Sequence, residues 1–468
     1  MSKRGFTVRW IMFLCTAFLT TMTLADAFAA EEAQSQILFT NCNIFDGRSD
    51  KLTLNHRVLV EGNLIKTIGD APIKVRKGSA VVDCGGRTLM PGLIDNHVHL
   101  VLPGPTIPAM DANKTWEDLA IHGVAQAEMY LMQGFTTVRD AGGANGGLQR
   151  AVNAGTIKGP RIYPSGAFIG GRGGHADFAQ FTAPMNAESN MARLNIARDV
   201  DGADATLKAA RNNFRMGASQ IKIMQSGGVV STFDPWQMEG RTVKETKAAV
   251  EIANQYGTYV MAHSYRKRSI LRALNAGVRS IEHGFMYDCE IAELMKEKRA
   301  YITTNLTAFD PNLTDIPAIK NNPSSLRKAL SASSAFKNYI DNMRKCPAKR
   351  GHHTDCVGTI SACKKQIAYE KYLNGKFFGN HTALVSMTSI GGEIAAMTGD
   401  FMNPYPEGKL GVVEEGAYAD VLIVEGNPLE DLTVIGTFPE WQTAPERPDS
   451  PKSILLIMKD GQIYKNTL

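Results

Sequence analysis

Short runs of apolar and β-branched residues crowd both ends of the chain. Between the ends, such runs alternate with longer amphipathic stretches. Toward the N-terminal end, "ILFTNCNIFDG", "HRVLVEGNLIKTIG" and "AVVDCGGRTLMPG" are apolar runs cut by Gly, Asn and Asp, the pattern of short strands joined by turns. "GVVEEGAYADVLIVEGNP" and "SILLIMKDGQIY" repeat it near the other end. The middle predicts eight strands, in "LMPGLIDNHVH", "GFTTVRDAGG", "RIYPSGAFI", "SQIKIMQSGG", "TYVMAHSY", "SIEHG", "AYITTNL" and "RGHHTDC". Helical patterns separate most of them, such as "TWEDLAIHGVAQAEMYLMQ", "ATLKAARNNFRMG", "TVKETKAAVEIANQYG" and "RSILRALNAG". Most of these close on a Gly just before the next strand, as helix C-termini do. Strand–helix alternation over this length predicts an α/β protein with a (β/α)8 TIM barrel at 91–404. The two β-rich ends, 30–90 and 405–468, are expected to form one small β-sandwich domain. The eighth strand has the weakest pattern. Its "HHTDC" is poor in apolar residues, and the preceding "NNPSSLRKALSASSAFKNYIDNMRKCPAK" is long and polar.

The first 29 residues read differently. Lys3, Arg4 and Arg9 precede the apolar block "WIMFLCTAFLTTMTL", and Ala27-Phe28-Ala29 fits the small-x-small cleavage pattern of a secretory signal peptide. An uncleaved N-terminal anchor is the weaker alternative, because the block is short and rich in Thr. The expectation is an exported protein, periplasmic or secreted, with no membrane attachment once the signal is removed. Composition agrees with a large packed core: 44% of the 468 residues are hydrophobic and 21% charged. The formal charge is only +5 and no dense Lys/Arg stripe is present, which argues against a nucleic-acid partner. Beyond Cys15 of the leader stand Cys42, Cys84, Cys289, Cys346, Cys356 and Cys363. They form no CxxC pair, so a zinc–thiolate site is not indicated. In an exported chain some should be oxidised, and a pair among Cys346, Cys356 and Cys363 is expected. Spacing does not give their connectivity.

The candidate chemistry lies where barrel enzymes carry it, at the C-terminal ends of strands. His97 and His99 end the first strand. Residues i and i+2 of a strand share a face, so both rings reach one point. Lys222 stands in the fourth strand, His263 ends the fifth, His283 ends the sixth and Asp355 ends the eighth. A lone His in an apolar strand is usually a hydrogen-bonded core residue, and a lone buried Lys usually pairs with a carboxylate. Four histidines on three strand ends, with a Lys and an Asp in barrel order, are not explained that way.

These residues carry a resemblance. "HVH", Lys222, "AHSY", "IEHG" and "TD" resemble the amidohydrolase superfamily of metal-dependent hydrolases. The phrases "MPGLIDNHVHL", "KIMQSGGVVS", "AHSYRKRSILRALNAGVRSIEHG" and "GKLGVVEEGAYADVLIVEGNPLEDL" are similar to its imidazolonepropionase-like branch, with the Xaa-Pro dipeptidase-like and ochratoxinase-like enzymes. The resemblance implies a binuclear site with two divalent ions, zinc first among them. His97 and His99 would bind the more buried ion. Lys222, carboxylated by CO2, would bridge both ions, and His263 and His283 would bind the second. Asp355 would bind the first and serve as general base toward a metal-bridging hydroxide. The implied reaction is hydrolysis of an amide bond of the peptide or N-acyl amino acid type. A lactonase, an organophosphate hydrolase or a cyclic-amide hydrolase on the same metals is the alternative.

The last strand departs from the family pattern, since His352, His353 and Cys356 surround Asp355. His353 shares strand parity with Asp355 and either competes as a ligand or sits behind the ligands; Asp355 is favoured, because the family role belongs to a carboxylate. For the substrate, Tyr265 faces the same side as His263, and in the related branch a Tyr at this place polarises the carbonyl. His175 lies in the Gly-rich loop "IGGRGGHADF", where relatives place a His near the substrate. Arg172 and Arg139 are candidate anchors for a substrate carboxylate, Arg139 being equally suited to pairing with Asp140 or another acid. His381 lies in a helical return and is read as structural. No phosphate-binding glycine motif is present. The partners expected are a small-molecule substrate and further copies of the chain in a homo-oligomer.

Overall fold

The computed structural model describes residues 35–102 and 114–468; the expected signal segment, 1–29, lies outside them, as does Cys15. Five strands come first: β1 (Gln36–Ile44), β2 (Thr53–Glu61), β3 (Leu64–Gly69), β4 (Ala80–Asp83) and β5 (Thr88–Pro91). Ten more follow through the α/β region: β6 (Leu93–Val98), β7 (Phe135–Asp140), β8 (Arg161–Tyr163), β9 (Phe168–Gly170), β10 (Ala197–Asp199), β11 (Ile221–Met224), β12 (Val260–Ser264), β13 (Ser280–His283), β14 (Tyr301–Thr303) and β15 (Arg350–Gly351). The chain closes with β16 (Val421–Val424), β17 (Ile454–Lys459) and β18 (Gln462–Asn466).

The two ends of the chain share one eight-stranded sheet, ordered β18-β17-β16-β5-β1-β2-β3 with β4 alongside β1. The junction is antiparallel, with Leu422 opposite Met90 and Ile423 opposite Leu89. Alternation of side chains then sends Phe39, Val58, Leu89, Ile423 and Leu456 into one buried layer. Gln36–Leu468 is a single compact unit.

The middle strands are parallel. Seven run in the order β10-β9-β11-β12-β13-β14-β15, and β6-β7-β8 form a three-stranded sheet. Hydrogen bonds from Asn96 N to His352 O and from Asp355 N to His97 O, both 2.9 Å, tie β6 to the segment following β15. The β11, β12 and β13 strands are buried along their whole length, because helices cover the outer face and side chains fill the inner one. The predicted helices form as Trp116–Met132, Ala203–Arg215, Val243–Gln255 and Lys267–Ala276. Thr115 with Asp118 and Thr242 with Glu245 close reciprocal capping boxes on two of them, and Gly277 ends a third with φ 103°.

Two features differ from the sequence expectation. The eighth strand shrinks to Arg350–Gly351, so Asp355 lies in the loop beyond it and strand parity does not govern its direction. The long polar stretch before it is helical. It folds into helices Pro323–Phe336 and Tyr339–Lys345, the first burying Ala329, Ala332 and Phe336 on one face. Cysteines pair as Cys42–Cys84, Cys289–Cys346 and Cys356–Cys363. The expected pair is thus Cys356–Cys363, with Cys346 joined to the helix of Cys289.

Candidate metal centre

Each strand-end residue is set by its neighbours. Asp140, at the end of β7, accepts hydrogen bonds from Gly142 N, Ala144 N and Leu100 N, which pins the loop leaving His99. His99 Nδ1 donates to Gly142 O at 2.9 Å. A Cβ on Gly142 would lie 2.2 Å from Phe168 Cδ1, and its φ is +143°, so only glycine brings that carbonyl close. Asp95 bridges β6 to Thr354, accepting from His97 N, Thr354 N and Thr354 Oγ1. Burial raises its pKa to about 7. Beneath the site, Glu282 of β13 accepts from His97 Nδ1 at 2.6 Å, Ser280 Oγ at 2.6 Å and Thr303 Oγ1 at 2.7 Å, and both its oxygens accept from Arg139 Nη2, at 2.9 and 3.0 Å. Burial opposes its charge, but Arg139 and Lys222 outweigh it and hold the carboxyl below its usual range.

Above this platform the predicted residues converge. Asp355 Oδ1 is 3.3 Å from His99 Nε2 and 3.6 Å from His97 Nε2, and Oδ2 is 3.9 Å from His283 Nδ1. Lys222 Nζ is 3.2 Å from His97 Nε2. The His263 and His283 rings are 4.5 Å apart. All six line one cavity of about 270 Å³, joined there by Tyr265 and His175. His283 and Asp355 both take left-handed backbone, with φ 69° and 53°. In a non-glycine residue this costs energy and is held only where the surroundings over-determine it.

The donor set fits divalent metal ions. Burial lowers the pKa of His97 and His263 well below the usual imidazole value and that of His283 to about 3, so these rings are neutral. Asp355 is held well below the usual carboxylate range, against its burial, and is ionised. Four of the rings spend one nitrogen on an acceptor: His97 on Glu282, His99 on Gly142 O, His263 on Gly227 O and His283 on Asn305 Oδ1. The other nitrogen of each is left as a lone pair, the arrangement that orients metal-ligating histidines. Lys222 is fully buried and its pKa falls to about 8.

The substrate-side expectations divide. Tyr265 packs its ring 4.7 Å from His263 and 5.2 Å from His283, and burial raises its pKa. His175 stacks on His263 at 4.2 Å, with Nδ1 3.4 Å from the buried Asp234. Asp234, held at a pKa of about 2 by the neighbouring His175 against its burial, is not evident from the sequence. Arg139 is no anchor: it is buried and committed to Glu282, Asn96 O, Tyr259 and Ser280. Arg172 is exposed and does not line the cavity. His381 lies away from the site, its Nε2 bonded to Arg48 O. Glu282, Thr303 and Asn305 also escape sequence reasoning; the one signal is a charged Glu inside the buried run "SIEH".

Neutral imidazoles, an ionised carboxylate and a buried amine, gathered around the ends of parallel strands, make a donor set of the class that could hold divalent ions in an α/β fold. The profile of the amidohydrolase family matches residues 88–464, and the chain belongs to that family. It is a hydrolase of amide-type carbon–nitrogen bonds, and its fold neighbours are of the TIM-barrel type. It is 29% identical to the ochratoxinase of Aspergillus niger over 394 residues, 81% of this chain and 75% of that one. A solved prolidase complexed with N-methylphosphonate-L-proline shares 32% identity at a TM-score of 0.81, covering 92% of this chain and all of the other. A Xaa-Pro dipeptidase with methionine bound in its active site shares 27% identity at a TM-score of 0.76, over 92% of this chain and all of that one.

Proposed function

We propose that this chain is an exported, binuclear metal-dependent amidohydrolase cutting a peptide or N-acyl amino acid amide. The observation that carries this reading is the convergence of His97, His99, Lys222, His263, His283 and Asp355 on one cavity. His97 and His99 would hold one ion with Asp355, and His263 and His283 would hold the second. Lys222, carboxylated by CO2, would complete the donor set; its buried amine lies 3.2 Å from His97 Nε2. Two ions bound there would supply an activated water and polarise the scissile carbonyl. Asp355 takes the water's proton and returns it to the leaving amine. Tyr265 and His175 orient the substrate carbonyl from the cavity wall. Main-chain bonds between β6 and the residues after β15 support closure of the parallel strands into a barrel.

The cavity also informs the substrate. Its outer wall is Phe285, Ile316, Ile319, Ala329 and Phe336, and no arginine lines it among the described residues. An apolar group of the substrate would rest against this wall. Both the prolidase and ochratoxinase likenesses support amide hydrolysis. Three disulfides support maturation in an oxidising compartment. The test is metal analysis of the purified protein with a panel of dipeptides, N-acyl amino acids and ochratoxin-like amides. Two equivalents of metal and turnover of apolar amides are expected. Faster turnover of esters or lactones would favour the lactonase alternative, and no hydrolysis of any amide would remove the reading.

A further inference from the structure

One buried histidine of the centre stands outside the six. His353 is wholly buried, and its ring stacks on that of His97 with centroids 3.8 Å apart and planes 16° from parallel. Its Nε2 has no hydrogen-bond partner and lies 3.9 Å from Asp355 Oδ2, beyond hydrogen-bond reach. A buried nitrogen without a partner is costly, so its place calls for an explanation.

The other side of the ring supplies it. His353 Nδ1 is 2.8 Å from Thr303 Oγ1, and that hydroxyl gives its only proton to Glu282 Oε2 at 2.7 Å. The Thr303 oxygen must therefore accept from His353, which puts the ring proton on Nδ1 and a lone pair on Nε2. Glu282 orients His97 in the same way, directly through Nδ1. One buried carboxylate, paired to Arg139, thus sets the tautomer of two stacked imidazoles, one by contact and one through a hydroxyl. The donor atoms of His97, His283, His353 and Asp355 all lie within 4.8 Å of one another.

We propose that His353 is a further ligand of the metal centre, a seventh protein donor beside His97, His99, Lys222, His263, His283 and Asp355. The inference rests on the metal-dependent reading above. Thr303 is a positioning residue in it, acting through the His353 ring. The extra neutral nitrogen raises affinity without adding charge.

The experiment uses the mature protein stripped by chelator and titrated with Zn2+ against a competing chelator, with Co2+ loading read by visible absorption. His353→Phe keeps a stacked ring and loses the nitrogen. Thr303→Val keeps the imidazole and loses its orientation. His353→Phe should bind zinc about 100-fold more weakly and change the Co2+ bands, and Thr303→Val about 10-fold more weakly. Should His353→Phe not fold, the Thr303→Val titration decides alone. Wild-type affinity and spectrum in the variants would overturn the inference while leaving the metal centre standing. A wild-type protein that binds no zinc or cobalt would instead overturn the reading beneath it.

Discussion

At the scale of single residues, Asp355 has two tasks that substitution can separate. Its φ of 53° is a conformation that Asp and Asn adopt far more readily than other side chains. Asp355→Asn therefore keeps the backbone and the shape, and loses the charge that accepts a proton. It should retain bound metal while turnover falls by about 1,000-fold or more, checked by metal analysis and kcat on the same preparation. A kcat near the wild-type value would remove Asp355 as the base. Gly228 tests the substrate side. A Cβ there would lie 2.1 Å from His175 Cε1, well inside contact distance. Gly228→Ala should displace the His175 ring and lower kcat/KM about 10- to 100-fold without changing metal content. Unaltered kinetics would place His175 outside the reaction. The convergence of His97 and His99 was readable from their i, i+2 spacing, although β6 ends at Val98 and the bond to Gly142 O completes the aim of His99. Asp234 behind His175 was not, since nothing local in "STFDPW" says which loop it will meet.

At the scale of elements, the six candidate residues depend on strands that hold one another from beneath. Glu282 and Arg139 join β13 to β7, and through Asn96 O to β6. Glu282→Gln leaves Arg139 buried without its counter-charge, which costs about 3–5 kcal/mol. It also frees His97 and Thr303, so zinc affinity should fall about 10- to 100-fold. Urea unfolding and chelator competition read the two effects separately. A variant as stable and as tightly loaded as the wild type would show that the platform is dispensable. The sequence made the strands legible where burial is two-sided, as in "IKIM" and "VMAHS". It failed at the eighth strand, where Arg350–Gly351 are paired but the functional residues lie in the loop beyond. It also concealed helix Pro323–Phe336, whose Ala-rich buried face carries too little hydrophobic contrast to stand out from a polar stretch. That helix contributes Ala329, Ala332 and Phe336 to the apolar wall of the cavity, so a poorly legible segment helps line the candidate site.

At the scale of the whole molecule, the question is how firmly the sheet built from both chain ends is joined to the parallel strands that carry the site. Arg161 of β8 is the most committed link. Its guanidinium bonds Asp420 at 2.8 and 3.2 Å and Asp460 at 2.7 Å, the first just before β16 and the second in the turn between β17 and β18. The rings of Tyr418 and Tyr405 lie 3.7 and 4.9 Å from its central carbon. A planar cation held by forked bonds and two aromatic faces cannot be replaced by a flexible ammonium, so even Arg161→Lys should destabilise. Arg161→Ala strands Asp420, which is buried, and should cost about 3–5 kcal/mol. β5 pairs with both β1 and β16, and β6 begins two residues after it, so loosening the C-terminal strands also frees the start of the strand bearing His97. Calorimetry of Arg161→Ala should therefore show one transition, at lower temperature than the wild type, with metal released across it. Two separated transitions, the second retaining metal, would show instead that the parallel strands hold the site without the sheet beside them.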